Sequence, residues 1–350
     1  MNSNNKSLVF VVGAGASKEV GLPVGSELKD RIANALDIRY KDGYNLTKGD
    51  RLILQAFRAL AEQQKIGNID LYLEASRHIA GAMPQAQSID EFIHAHQENP
   101  FITLCGKLAI ARCILDAESS SSMFVDKRNI CNKINFQELE KTWYSAFFKM
   151  IVQGTQKQNL PERLSKISVI TFNYDRCIEE YLHAALCNYY RIEIEEATKL
   201  LKHLTIFHPY GHLGDLTWST SHFSINFGSD VSVEELINST NRIKTFTEGT
   251  DKSHSNIVAI RSTIANAEKL VYLGFSFYRQ NLLLLYGNET NRAKRDTLIY
   301  GTVRNVSKSD TEKIQTEITN LAQIDRSNIH LSDLCCAKLF QEYSRSLMIT

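Results

Sequence analysis

The residues best suited to chemistry lie in four short stretches. The first, Gly13-Ala14-Gly15-Ala16-Ser17, follows the apolar run Leu8 to Val12 and leads into a helix-forming segment. Its two glycines let the chain turn sharply and let a ligand approach the backbone without meeting a Cβ. Free N–H groups at the start of the following helix, with its dipole, would seat a diphosphate. The spacing is Gly-x-Gly-x-Ser. Lys18 stands where a dinucleotide fingerprint has its third glycine, and no Gly-Lys-Ser/Thr follows as in a P-loop. Alone, the stretch reads equally as a nucleotide loop or as a tight turn, continued by the turn Gly21-Leu22-Pro23.

The other three stretches are Thr171-Phe172-Asn173-Tyr174-Asp175, His208-Pro209-Tyr210-Gly211-His212 and Gly274-Phe275-Ser276-Phe277. Each follows a short run rich in β-branched or apolar residues, near 8–12, 167–172, 204–207 and 270–273, the pattern of strands buried on both faces. Further strands are expected at 297–303 and 328–331. Helical spacing marks 27–36, 51–64, 69–81, 89–97, 100–116, 136–153, 176–190, 232–238, 255–267 and 309–322. Residues 37–50 read as a polar loop. Strands alternating with helices imply an α/β fold with a Rossmann-like parallel sheet. The expected division is a core of 7–36 and 165–335, a helical insertion at 51–153 after the first βα unit, and an irregular excursion at 215–253, all in one domain of 1–350. Ligands of such sheets sit beyond the carboxyl ends of the strands, so the four stretches would line one cleft. Any one of them alone reads as a turn or a helix cap.

Composition narrows the partners. The 40 Lys and Arg balance 39 Asp and Glu, for a formal charge of +1. There is no direct signal for nucleic acid or for an acidic membrane. The 7 cysteines include no Cys-x-x-Cys pair, which argues for reduced thiols and against a zinc site. No window approaches the roughly 18 apolar residues of a spanning helix, and the apolar run after Lys6 is short for a signal peptide. A soluble, cytoplasmic protein is expected.

Taken in order, the motifs resemble the sirtuin-like domain family, in its bacterial antiphage-defence branch. The resemblance rests on Val11-Val12-Gly13-Ala14-Gly15-Ala16-Ser17 with Gly21-Leu22-Pro23, and on Ile170-Thr171-Phe172-Asn173-Tyr174-Asp175. Ser88-Ile89-Asp90-Glu91-Phe92, the segment from His208 to Gly211 and Leu273-Gly274-Phe275-Ser276-Phe277 match more loosely. Together these pieces span roughly residues 7 to 305.

The resemblance implies an enzyme that hydrolyses NAD at the nicotinamide–ribose bond and depletes it during infection. NAD would be the substrate, with no zinc. Gly13, Ala14, Gly15 and Ser17 would hold the diphosphate, with Ala16, Gly21 and Pro23 also among the cofactor-binding residues. Asn173 and Asp175 would line the nicotinamide-ribose pocket and Gly274 and Ser276 contact the adenosine ribose, with Thr171, Tyr210 and Phe277 also among the cofactor-binding residues. Breaking a glycosidic bond builds positive charge on the ribose. Asn173 suits orienting a water or hydroxyl, Asp175 suits favouring the cation, and a histidine suits taking the proton. The family's His-Gly slot reads Tyr210-Gly211 here, so the base is either His208 or His212, with His208 favoured. If the strand ran on to Tyr210, residues 208, 210 and 212 would share one face. A competing role for Asn173 is a helix N-cap, and Asp90 and Glu91 suit the first turn of a capped helix. Family habit further implies a homo-oligomer and a separately encoded activator, such as a translocase-type ATPase or an Argonaute-like protein. Two alternatives stand beside hydrolysis: a non-catalytic NAD or ADP-ribose sensor or scaffold subunit, favoured by Tyr210, and a protein deacylase, disfavoured by the missing zinc cysteines.

Overall fold

The computed structural model describes residues 8–42, 45–126, 128, 132–219, 223–250, 256–287 and 296–349, apart from the side chains of Thr247 and Thr250. Residues 1–7, Cys131, parts of the 215–253 excursion and residue 255 of an expected helix lie outside the described residues.

The described strands are β1 (Leu8–Val12), β2 (Arg39–Lys41), β3 (Asn45–Lys48), β4 (Ile167–Thr171), β5 (Thr205–Phe207), β6 (Lys269–Leu273), β7 (Leu298–Thr302) and β8 (Ile329–Ser332). Six of them form one parallel sheet in the order β5-β4-β1-β6-β7-β8. The chain thus lays β4 and β5 outward from β1, then returns to place β6, β7 and β8 on its other side. This is the doubly wound, Rossmann-like arrangement, with the reversal between β1 and β6. Register aligns the exits, because Val12 pairs with both Thr171 and Leu273. The first, second and fourth motifs therefore leave the sheet at one level.

Every β1 residue is buried, and its alternating side chains feed two cores. Val9 and Val11 join Ile170, Tyr272 and Ile299 on one face. Leu8, Phe10 and Val12 join Val169, Val271 and Leu273 on the other. Helices Gly25–Leu36, Arg51–Gln63, Asp70–Ala82 and Ile89–Ala95 contribute to the first core, as does most of Pro100–Ser119. Trp143–Val152, Cys177–Tyr190, Ile194–Leu201 and Cys336–Glu342 cover the second. The stretch 51–153 is thus shared between the two faces. Pro100–Ser119 starts on an Asn99 side chain that accepts the Phe101 and Ile102 N–H groups, and it is buried on nearly every side.

Several local expectations are corrected. Residues 37–50 are not only a loop, since β2 and β3 pair there as an antiparallel ribbon. The expected helix at 136–153 begins only at Trp143, where the Thr142 hydroxyl accepts the Ser145 N–H and starts the first turn. Helices Leu160–Ser165, Ile194–Leu201 and Arg279–Tyr286 were not expected. The described residues of the 215–253 stretch hold two helices, Val233–Thr240, which answers the one expected at 232–238, and Phe246–Thr250. Strand β5 stops at Phe207, and Gly211, at φ +74°, closes a turn by donating its N–H to the His208 carbonyl. Residues 208, 210 and 212 therefore do not share one strand face. No helix among the described residues is long and apolar enough to cross a membrane.

Candidate functional site

The glycine loop is built against the exit of β6. The N–H of Gly13 donates to the Leu273 carbonyl at 2.9 Å and that of Gly15 to the Gly274 carbonyl at 3.0 Å. The expectation that the loop offers free N–H groups is corrected at these two positions. A Cβ on Gly15 would lie 2.9 Å from the Gly274 Cα, and one on Gly274, at φ +55°, would lie 2.1 Å from the Ala16 nitrogen. The glycines thus serve a close approach of two backbones across the reversal point of the sheet. The Gly274 N–H is held in turn by the Thr302 hydroxyl.

Beside the loop, β1 and β4 deliver one hydrogen-bonded cluster. The Asn173 Nδ2 donates to the Ser17 Oγ at 2.9 Å and to the Gly13 carbonyl at 3.2 Å. The Ser17 Oγ donates to Asp175 Oδ2 at 2.8 Å and lies 3.2 Å from the Tyr144 hydroxyl. Asp175 Oδ1 accepts the Cys177 N–H at 3.1 Å, which anchors helix Cys177–Tyr190. Thr171 Oγ1 accepts the Asn173 N–H and fixes the bend that follows β4. Asn173 is therefore no helix cap. Its amide is clamped through nitrogen, and its Oδ1 is buried without a partner. A buried acceptor left without a donor is costly, so this oxygen is a point at which a ligand hydroxyl or water gains a bond. Burial pushes the Asp175 carboxyl above its ordinary pKa, against the bonds from Cys177 and Ser17.

The third motif supplies a second cluster. His208 Nε2 lies 2.7 Å from Glu179 Oε1, and the His208 and His212 rings are 4.7 Å apart. Burial opposes charge on His208, but the Glu179 carboxylate outweighs it and holds the imidazole above its ordinary pKa. The Asn173 backbone and the Asp175 charge act in the same direction, linking this cluster to the first. His212 behaves oppositely: burial, then the His208 charge, push it down to about 4. A cavity of about 270 Å³ opens beside the pair, lined by His208, His212, Glu179, Arg176, Asp215 and Trp218 among others.

The remaining expected site residues scatter. Tyr210 turns toward the opposite core, donates to Asn281 Oδ1 at 2.7 Å and packs edge-on against Phe172. Phe277 is buried against Tyr272 and Phe275, with its backbone at φ +54°. Ser276 is exposed, as is Gly21, whereas Pro23 and Ala16 are buried and Ala14 is half-buried. The Ala16 carbonyl accepts the Trp143 indole N–H. Lys18 pairs with Glu27 at the surface. Asp90 accepts from the Tyr174 hydroxyl, a tie between helix Ile89–Ala95 and the β4 exit.

Glu179 was not expected. An acid in the first turn of a helix is ordinary, so nothing in its spacing marks it as the partner of a histidine 29 residues away. Nor does the sequence show that Tyr144, far from every motif, reaches Ser17. Among the described residues no group of three or more His, Cys, Asp and Glu is arranged to hold a metal. A scan of the chain against protein-family models finds no match, and a search of curated proteins finds none either.

Proposed function

We propose that this chain is an NAD glycohydrolase of sirtuin-like type that releases nicotinamide and ADP-ribose. The observation that carries the reading is Asn173, held through Nδ2 by Gly13 and Ser17 with a buried, unpartnered Oδ1 at the β4 exit. In the proposed reaction the bond between the ribose C1′ and the nicotinamide nitrogen breaks. Its electron pair goes to the ring, which leaves as neutral nicotinamide. Asn173 Oδ1 accepts a hydrogen bond from the attacking water or a ribose hydroxyl and orients it. The water oxygen bonds C1′ and its proton passes to His208, in its neutral form. Asp175, with both oxygens engaged inside the protein, acts by its position and charge on the developing cation rather than by contact.

The antiphage role, a homo-oligomer and a separately encoded activator belong to the same proposal and rest on the motif resemblance alone. The second reading, a module that binds NAD or ADP-ribose without turnover, is favoured by Tyr210. It occupies the usual histidine slot and is committed to Asn281. Asn173→Ala and His208→Ala, assayed separately with NAD, distinguish the two. An enzyme loses nicotinamide release in both variants while keeping its fold. A binding module has no release to lose.

A further inference from the structure

Resting on the NAD-cleaving reading, we propose that Glu179 is the positioning residue of the reaction, holding the His208 ring toward the β4 exit and balancing the charge His208 acquires with its proton. The geometry is that of an acid–imidazole pair in which the acid fixes ring orientation and stabilises the imidazolium. The two side chains meet at 2.7 Å, and the second carboxylate oxygen, Oε2, is buried without a partner. The carboxylate's one side-chain hydrogen bond is thus the one that Oε1 accepts from the His208 Nε2–H.

The helix that carries Glu179 is itself tied to the rest of the cluster. Asp175 accepts the Cys177 N–H, and Arg176, next to it, is held by Glu118. Asn173, Asp175 and Glu179 therefore come from a single turn-and-helix unit, and His208 is placed against it from β5. The charged and titratable groups facing His208 are Glu179 on that helix, Asp175 at the β4 exit, and His212 and Asp215 beyond β5. Arg176, engaged with Glu118, and Lys202 also line the adjoining cavity. Among these, Glu179 is the group hydrogen-bonded to the imidazole. His212 stays neutral beside it and does not compete for the proton.

The test compares the full chain with Glu179→Gln and Glu179→Asp in NAD turnover across pH, with folding checked by circular dichroism. Glu179→Gln is expected to lower kcat roughly 100-fold, the lower end of what general-base catalysis supplies, with KM little changed. The acid limb of its kcat/KM profile is expected to move to lower pH, because a histidine without its carboxylate loses its proton more readily. Glu179→Asp is expected to restore part of kcat, and it keeps the test open if the Gln variant folds poorly. A folded variant with wild-type kcat and an unmoved pH profile would overturn the role of Glu179 alone. Absence of nicotinamide release by the wild-type chain would overturn the glycohydrolase reading, and the role with it.

Discussion

The Glu118 carboxylate, in the last turn of helix Pro100–Ser119, holds the Arg176 guanidinium at 2.5 Å with side-chain exposures of 0% and 2%. Glu118 also accepts the N–H groups of Arg176 and Gly228, while Arg176 donates to the Ile225 carbonyl at 2.7 Å. The pair joins the long helix, the β4 exit and the 215–253 stretch at one buried point. Removing one partner of such a pair leaves an uncompensated charge and costs about 3–5 kcal/mol. Glu118→Ala is therefore expected to lower stability by that order in urea unfolding. A loss under about 1 kcal/mol, the scale of a surface pair, would contradict the burial of the pair.

Asn173 is expected to separate function from stability. Asn173→Ala gives up two side-chain hydrogen bonds but also removes an acceptor that had no partner. The net cost is expected to be small, about 1–2 kcal/mol, while turnover is lost. Thermal unfolding and NAD turnover on the same preparation check both halves.

The backbone contact at the reversal point gives a sharper steric test. Gly274→Ala places a Cβ 2.1 Å from the Ala16 nitrogen at φ +55°, so both packing and dihedral oppose it. At least about 2 kcal/mol of destabilisation is expected. Gly81→Ala, in helix Asp70–Ala82 with nothing near its added Cβ, is expected to be neutral or to gain up to about 1 kcal/mol. Urea titrations of the two variants side by side decide it.

The two histidines beyond β5 predict opposite pH dependences. His212, pushed down to about 4, stays neutral in the fold while the unfolded chain takes up its proton below about pH 6.5. Stability therefore falls as pH drops from about 6.5 toward 4. His208 is raised, so its contribution is full below about pH 6.5 and is lost as pH climbs through its folded value. His212→Asn is expected to flatten the acid-side fall of Tm, and Glu179→Gln the decline above neutrality. Parallel Tm profiles for wild type and His212→Asn would contradict the assignment.

The residues that build the sheet advertised themselves. The runs 8–12, 167–171 and 270–273 are buried on both faces, so they are mostly apolar, and the polar residues at their ends stand out. Asn173, Asp175 and Ser17 were legible for that reason, and the structure joins them by hydrogen bonds. The ribbon of β2 and β3 was not legible, because its strands are short and mostly exposed and carry no apolar run. Helix Ile194–Leu201 is short and largely polar on its outer side. The turn from His208 to Gly211, closed by the Gly211 N–H on the His208 carbonyl, separates Tyr210, bonded to Asn281, from His208, bonded to Glu179, a placement set by the turn and not by strand alternation. The contacts of Glu118 with Arg176 and of Glu179 with His208 join distant residues, and no local spacing encodes them.

The most direct measurement is incubation of the purified full chain with NAD, resolving nicotinamide and ADP-ribose by chromatography, with Asn173→Ala alongside. The account predicts equal release of the two products by the wild-type chain, and loss of that release in a folded variant. Release that survives the substitution would contradict Asn173 as the residue that orients the reaction, and wild-type binding of NAD without release would contradict hydrolysis by this chain.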